Sequence, residues 1–181
     1  MIDSAIDVQP MKPISSDLHH SIEQFLFREA RLLDTDQQRT WLQTMVHPNI
    51  RYKVFSRQLR NRKDQNAPGP DRVHIFDDDL GMLDKRVRQF ETGMQWRSDP
   101  PERLRHLISN VEGYMGEEQN QYRVFSNCLV FRNRRVHEES HFIYGRYDVL
   151  ESDANGSMRL LSREIDYDQR FVEGRNLLFF L

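Results

Sequence analysis

The hydrophobic positions change their rhythm halfway along the chain. From Leu18, the apolar side chains Leu18, Ile22, Phe25, Leu26, Leu32 and Leu33 recur on one helical stripe, and Ser16 or Asp17 can cap its start. Thr35 to Gln38 then fit a capping box, with Trp41, Leu42, Met45 and Val46 as the buried side of a second, short helix that stops near His47 and Pro48. Residues 49–60, NIRYKVFSRQLR, alternate as a strand does, and 61–71 form a polar loop with two prolines and a glycine. Leu80, Leu83, Val87 and Phe90 predict a third helix, opened by acidic residues and closed at Gly93.

After Pro100 and Pro101 the chain is rich in Val, Ile, Phe and Tyr, broken by Gly, Asn and acidic turns. Strands are expected near 103–117, 121–135, 139–152 and 157–170, with a short one at 176–181. Short connections make the long strands antiparallel, and Asn155-Gly156 marks a hairpin turn because both residues tolerate positive φ. Helices followed by a meander define an α+β fold. Val124, Cys128 and Val130 alternate with Phe125, Leu129 and Phe131, so both faces of that strand are apolar. One face can be covered by the chain's own helices; the other must line a pocket or meet another subunit. Residues 1–14, polar and without period, read as an arm, either mobile or laid on another surface, and 15–181 as one domain.

Composition narrows the function. The 26 basic and 28 acidic residues of the 181 leave a net charge of -2, so no overall field favours nucleic acid or an anionic membrane surface. No apolar run approaches the ~20 residues of a membrane helix, and MIDSAIDVQPMKP lacks the parts of a secretory signal, which makes the cytoplasm the expected compartment. The single cysteine, Cys128, excludes an intrachain disulfide and thiolate-rich metal sites, and its apolar strand makes it a core residue.

His137, Glu138 and His141 spell H-E-x-x-H, the zinc-protease word. Zinc requires both imidazoles within a few ångströms, which positions i and i+4 satisfy on a helix. On a strand they lie about 13 Å apart. The flanks YRVFSNCLVF and HFIYGRYDVL are strand-like, so the expected reading is a turn and strand start bearing solvated polar residues. Other clusters receive similar readings. Asp77, Asp78 and Asp79 are expected to cap the third helix rather than hold a hard cation. His19 and His20 are adjacent, not on one helix face, and are expected to be solvated. The basic run Arg51, Lys53, Arg57, Arg60, Arg62 and Lys63, interleaved with Tyr52 and Phe55, is expected to be a solvent-facing edge or protein interface rather than a nucleic-acid strand.

The stretch WRSDPPERLRHLISNVEGY carries a resemblance. Trp96, Pro100, Pro101, Arg103, Arg105, His106, Ile108, Ser109, Asn110 and Val111, together with EARLLDT, FRNRR, YGRYDVL, LLSREIDYDQ and NLLFFL, resemble the small (beta) subunit of bacterial Rieske-type aromatic-ring-hydroxylating dioxygenases, over about residues 16–181. The resemblance implies a cone-shaped fold like that of nuclear transport factor 2 (NTF2-like), a curved antiparallel sheet packed on about three helices. It implies a noncatalytic subunit that assembles with a large alpha subunit and other beta subunits, commonly as α3β3. The Rieske [2Fe-2S] cluster and mononuclear iron are expected on the alpha subunit; one cysteine cannot supply a Rieske centre's two. Trp96, Arg103, Arg105, His106 and Asn110 are the expected interface residues, and no catalytic, cofactor-binding or metal-binding residue is expected here. A competing expectation is a stand-alone acid-base dehydratase or isomerase on the same cone, like scytalone dehydratase or ketosteroid isomerase. His106 would then act with Glu112, Asp148 or Asp166.

Overall fold

A computed structural model describes residues 11–57, 72–92, 102–134, 138–168 and 180–181. Its elements run α1 (Ser16–Asp34), α2 (Gln38–Thr44), β1 (Val46–Arg57), β2 (Arg72–Asp78), α3 (Leu80–Glu91), β3 (Arg103–Met115), β4 (Gln121–Arg134), β5 (Glu138–Ser152) and β6 (Met158–Tyr167). The expected strand at 176–181, the loop with NAPGPD and the helix stop at Gly93 fall mainly or wholly outside the described residues.

The described strands form one six-stranded sheet in the order β2-β1-β6-β5-β4-β3. From β3 to β6 it is the predicted antiparallel meander. β1, by contrast, runs parallel to β6 and antiparallel to β2. Register shifts interrupt the ladders at Val54/Phe55, Ser109/Glu112 and Val149/Leu150. Each bulge adds local twist, which bends so long a sheet around the helices as a cone.

The cap of α1 lies one residue before the first of the predicted caps: Ser15 accepts from the Leu18 amide. Its Ile22 and Leu26 are fully buried, joining Trp41, Val87, Val124, Val130 and Leu160 in the core. The capping box is not formed. Thr35 instead ends α1, its hydroxyl donating to the Arg31 carbonyl, and α2 starts at Gln38 behind the N-cap Gln37, whose side chain makes no capping bond. Asp36 at φ 56 turns the chain between the helices, so Thr35 stands two residues before the Gln37 N-cap and cannot close a box. β1 starts at Val46 despite Pro48, since its ladder with β6 is irregular between Val46 and Arg51, where a missing N–H is tolerated.

The strand β2 is absent from the periodicity reading because its RVHIFDD merges with the acidic opening of α3. Those acidic residues are all accounted for. Asp79 caps α3 through the Met82 amide, Asp78 pairs with Arg86 at 2.6 Å, and Asp77 with Arg51 at 3.3 Å. Lys53 faces Glu164 at 3.6 Å, so two members of the basic run are balanced by carboxylates; Arg60, Arg62 and Lys63 lie outside the described residues. In the DANGS turn only Gly156 adopts positive φ, at 80°. Lys12 to Ile14 lie along the edge of β3, where Met115 donates to the Lys12 carbonyl and Ile14 to that of Gly113. A side chain at Gly113 would meet the end of the Ile14 side chain, which would have to move aside.

Candidate functional site

Alternation along β5 turns Phe142, Tyr144, Arg146, Asp148 and Leu150 inward. The cone therefore encloses charges, and the chain supplies their partners from three distant elements. Arg163 on β6 sits directly across the ladder from Asp148 and grips it with two bonds, Nε to Oδ1 at 2.8 Å and Nη2 to Oδ2 at 2.9 Å. The same Nη2 donates to Glu29 of α1 at 2.6 Å. Arg146 lies 3.2 Å from Asp148 and 3.5 Å from Glu29. Trp41 donates its indole N–H to the other Glu29 oxygen at 2.9 Å. Tyr52 donates to the Leu181 carbonyl, which also accepts from Arg163.

Two guanidinium groups thus meet two carboxylates in a neutral set. Burial pushes the Glu29 carboxyl up, but Arg163 and Arg146, with hydrogen bonds from Arg163 and Trp41, outweigh it and hold the group below its ordinary value. Burial pushes the Tyr52 hydroxyl up to about 12. Such a set need not stabilise the fold relative to an apolar core, yet losing one member strands a charge where no water reaches it.

His106 is the second interior polar centre. Its imidazole is 3% exposed, with Nδ1 2.6 Å from Asp34 and Nε2 3.1 Å from the Phe180 carbonyl. Its backbone N–H also donates to Asp34. The carboxylate beside it is therefore none of Glu112, Asp148 or Asp166. Both ring nitrogens thus lie within hydrogen-bond distance of the chain's own groups. The Phe180 ring packs on Trp41 at 4.7 Å and on Phe90 at 5.6 Å.

Of the five residues expected at an interface, Trp96 lies outside the described residues. Arg103, Arg105 and Asn110 are exposed along β3. Asn110 stands at φ 51, in the bulge between Ser109 and Glu112. His106 faces inward from the same strand. On the outer face Leu107, Leu129 and Ile143 lie side by side across β3, β4 and β5, and Leu107 and Ile143 are 53% and 45% exposed. Beside them Phe131 stacks on His141 at 5.2 Å. Next along the sheet, an open groove of about 280 Å³ is bordered by Asn110, Glu112, Phe125, Asn127 and Tyr147, with Gly145 in its floor.

Glu138 and His141 of the zinc word lie on β5 in extended backbone, while His137 lies outside the described residues. Glu138 faces Arg134 at 3.8 Å. Among the described residues no three His, Cys, Asp or Glu side chains converge to hold a metal ion, and no helix is long and apolar enough to cross a membrane. His19 is not simply solvated: its Nε2 meets the Val111 carbonyl at 3.0 Å, tying α1 to β3.

The interior cluster escaped sequence reasoning, although a signal existed. Arg146 and Asp148 occupy the buried phase of β5, and Glu29 continues the stripe of Ile22 and Leu26 on α1. A charge in an apolar phase announces a buried partner.

A curved six-stranded sheet wrapped over the described helices defines an NTF2-like α+β protein. Within that class, residues 28–174 match the family model described as the ring hydroxylating beta subunit, and the chain belongs to this family. A chain of naphthalene 1,2-dioxygenase, solved with indole in the active site, superposes with a TM-score of 0.87 at 27% identity, over 93% of this chain and 88% of that one. A structure from Novosphingobium aromaticivorans DSM 12444, assigned as the beta subunit of an aromatic-ring-hydroxylating dioxygenase, gives 0.67 at 23% identity, over 90% and 95%. Another from the same organism, assigned as a scytalone dehydratase, gives 0.58 at 14% identity over 87% and 90%, and shows shared fold alone.

Proposed function

We propose that this beta subunit is noncatalytic and serves as architecture, assembling with an iron-containing alpha subunit and with other beta subunits in an α3β3 dioxygenase that dihydroxylates an aromatic compound in the cytoplasm. The Rieske cluster and mononuclear iron then belong to the alpha subunit. The observation that carries the reading is the state of His106. In a proton-moving cone this residue would face an open cavity; here Asp34 and Phe180 occupy both nitrogens. Asp148, the carboxylate the acid-base alternative would recruit from β5, is gripped by Arg163.

The outer face supplies the surface such a role needs. Exposed Arg103, Arg105 and Asn110 border the apolar row of Leu107, Leu129 and Ile143, a combination of arginine and aliphatic area suited to subunit contact. We assign the interface to Trp96, Arg103, Arg105 and Asn110, with His106 bracing the strand from behind. Co-expression with candidate alpha subunits and purification through a tag on this chain is the test. A brown, iron-containing heteromer is expected; turnover of substrate by the purified chain alone would overturn the reading.

A further inference from the structure

The groove on the outer sheet face has a composition that the apolar row beside it lacks. Tyr114, Phe125 and Tyr147, from β3, β4 and β5, form an edge-to-face ladder with ring centroids 5.9 and 5.3 Å apart. Glu112 stands at the groove's border, its Oε2 accepting from the Tyr114 hydroxyl at 2.8 Å. Among the described residues Glu112 forms no ion pair, and its second oxygen has no hydrogen bond. Arg146 contributes to the floor, but its guanidinium is held on the opposite face of the sheet by Asp148 and Glu29. Arg123, the neighbouring surface arginine, is taken by Glu117 at 2.6 Å. Asn110 and Asn127 add neutral amides at the border.

We propose that this groove seats an arginine side chain of the alpha subunit, its guanidinium on the free oxygen of Glu112 and its stem and plane against Phe125 and Tyr147. The inference rests on the assembly reading above and deepens it by naming the partner's chemistry. Three features select this occupant. A carboxylate without a cation asks for positive charge, and aromatic rings attract a guanidinium through their quadrupole. At about 280 Å³ the groove falls just below the range of roughly 300–1,000 Å³ typical of small-molecule sites, while one long side chain fits it. Gly145 leaves the floor bare, since an added Cβ would find only the Tyr147 hydroxyl, at 3.9 Å.

The test compares the affinity of the full-length chain for its alpha subunit in three variants. Glu112→Lys, which meets the incoming cation with like charge, is expected to weaken association at least about tenfold. Gly145→Leu, which fills the groove, is expected to do the same; Glu112→Gln, which removes only the charge, should weaken it by a smaller factor. The thermal midpoint of each isolated chain should stay near that of the parent. An unchanged affinity for Glu112→Lys overturns the inference. If no alpha subunit binds the parent chain, the assembly reading fails by itself. The groove is then probed by NMR of the Tyr147 ring with N-acetylarginine amide against N-acetylnorleucine amide. Ring shifts with the arginine compound alone support a guanidinium site; equal response to both, or to neither, overturns it.

Discussion

Arg163 and Glu29 are separated by 134 residues of sequence and meet at 2.6 Å inside the cone. The contact joins the last sheet strand of the meander to the first helix, and it uses two side chains that are essentially inaccessible to solvent. Helix and sheet are thereby held in one orientation by a directional bond, where apolar packing alone would permit sliding.

Removing either partner should therefore be costly. Arg163→Met is expected to lower stability to chemical denaturation by about 3–5 kcal/mol, because Glu29 and Asp148 would lose their shared cation. Glu29→Gln combined with Arg163→Met removes one charge of each sign and should recover part of that loss. A double-mutant cycle measures the recovery, and strict additivity would contradict the coupling.

The cluster also sets the pH limits of the fold. Glu29 is held below its ordinary value of 4.5, so its contribution is present above that pH and disappears as pH falls through the lower folded value. Acid unfolding should begin below about pH 4.5, and Glu29→Gln should flatten that limb. At the alkaline end Tyr52 is raised from 10 to about 12. The neutral hydroxyl is thus favoured in the fold, and its contribution is complete below pH 10 and lost as pH climbs toward 12. Phenolate absorbance during alkaline titration should show this tyrosine ionising late.

His106 and Asp34 make a local prediction. Asp34→Asn replaces a charged acceptor of both the His106 ring and its backbone N–H, and should cost about 1.5–3 kcal/mol. The loss should appear as faster amide exchange in β3 before the rest of the sheet, because Asp34 fastens α1 to that edge strand.

Asn110 tests the bulge. At φ 51 the residue is in the left-handed region, where asparagine and glycine are tolerated and branched residues are not. Asn110→Gly should be nearly neutral, whereas Asn110→Val should cost about 1–2 kcal/mol. If the bulge shapes the interface, the valine variant should also lose alpha-subunit binding, as measured by co-purification.

The three helices, the four long strands and the turn at Gly156 could be read from periodicity, caps and turn residues, because each depends on neighbours within one or two turns of chain. The strand reading of His141 was available for the same reason: its flanks are rich in strand-forming residues. Reading failed where one residue could serve two local patterns. Thr35 has the chemistry of an N-cap and acts as the end of α1; the RVHIFDD strand was absorbed into the helix opening behind it.

By itself, then, the sequence determined which segments are helical or extended, which faces are apolar and to which family the motif around Arg103 to Val111 points. Tertiary structure alone decided that β1 lies parallel to β6, that Asp34 rather than Asp148 meets His106, and that Glu29, Asp148, Arg146 and Arg163 close on one another. Periodicity records the direction of a side chain relative to its own backbone. It carries no record of which distant group will be waiting there, and at ångström range in a buried interior that partner decides what a histidine or an arginine holds.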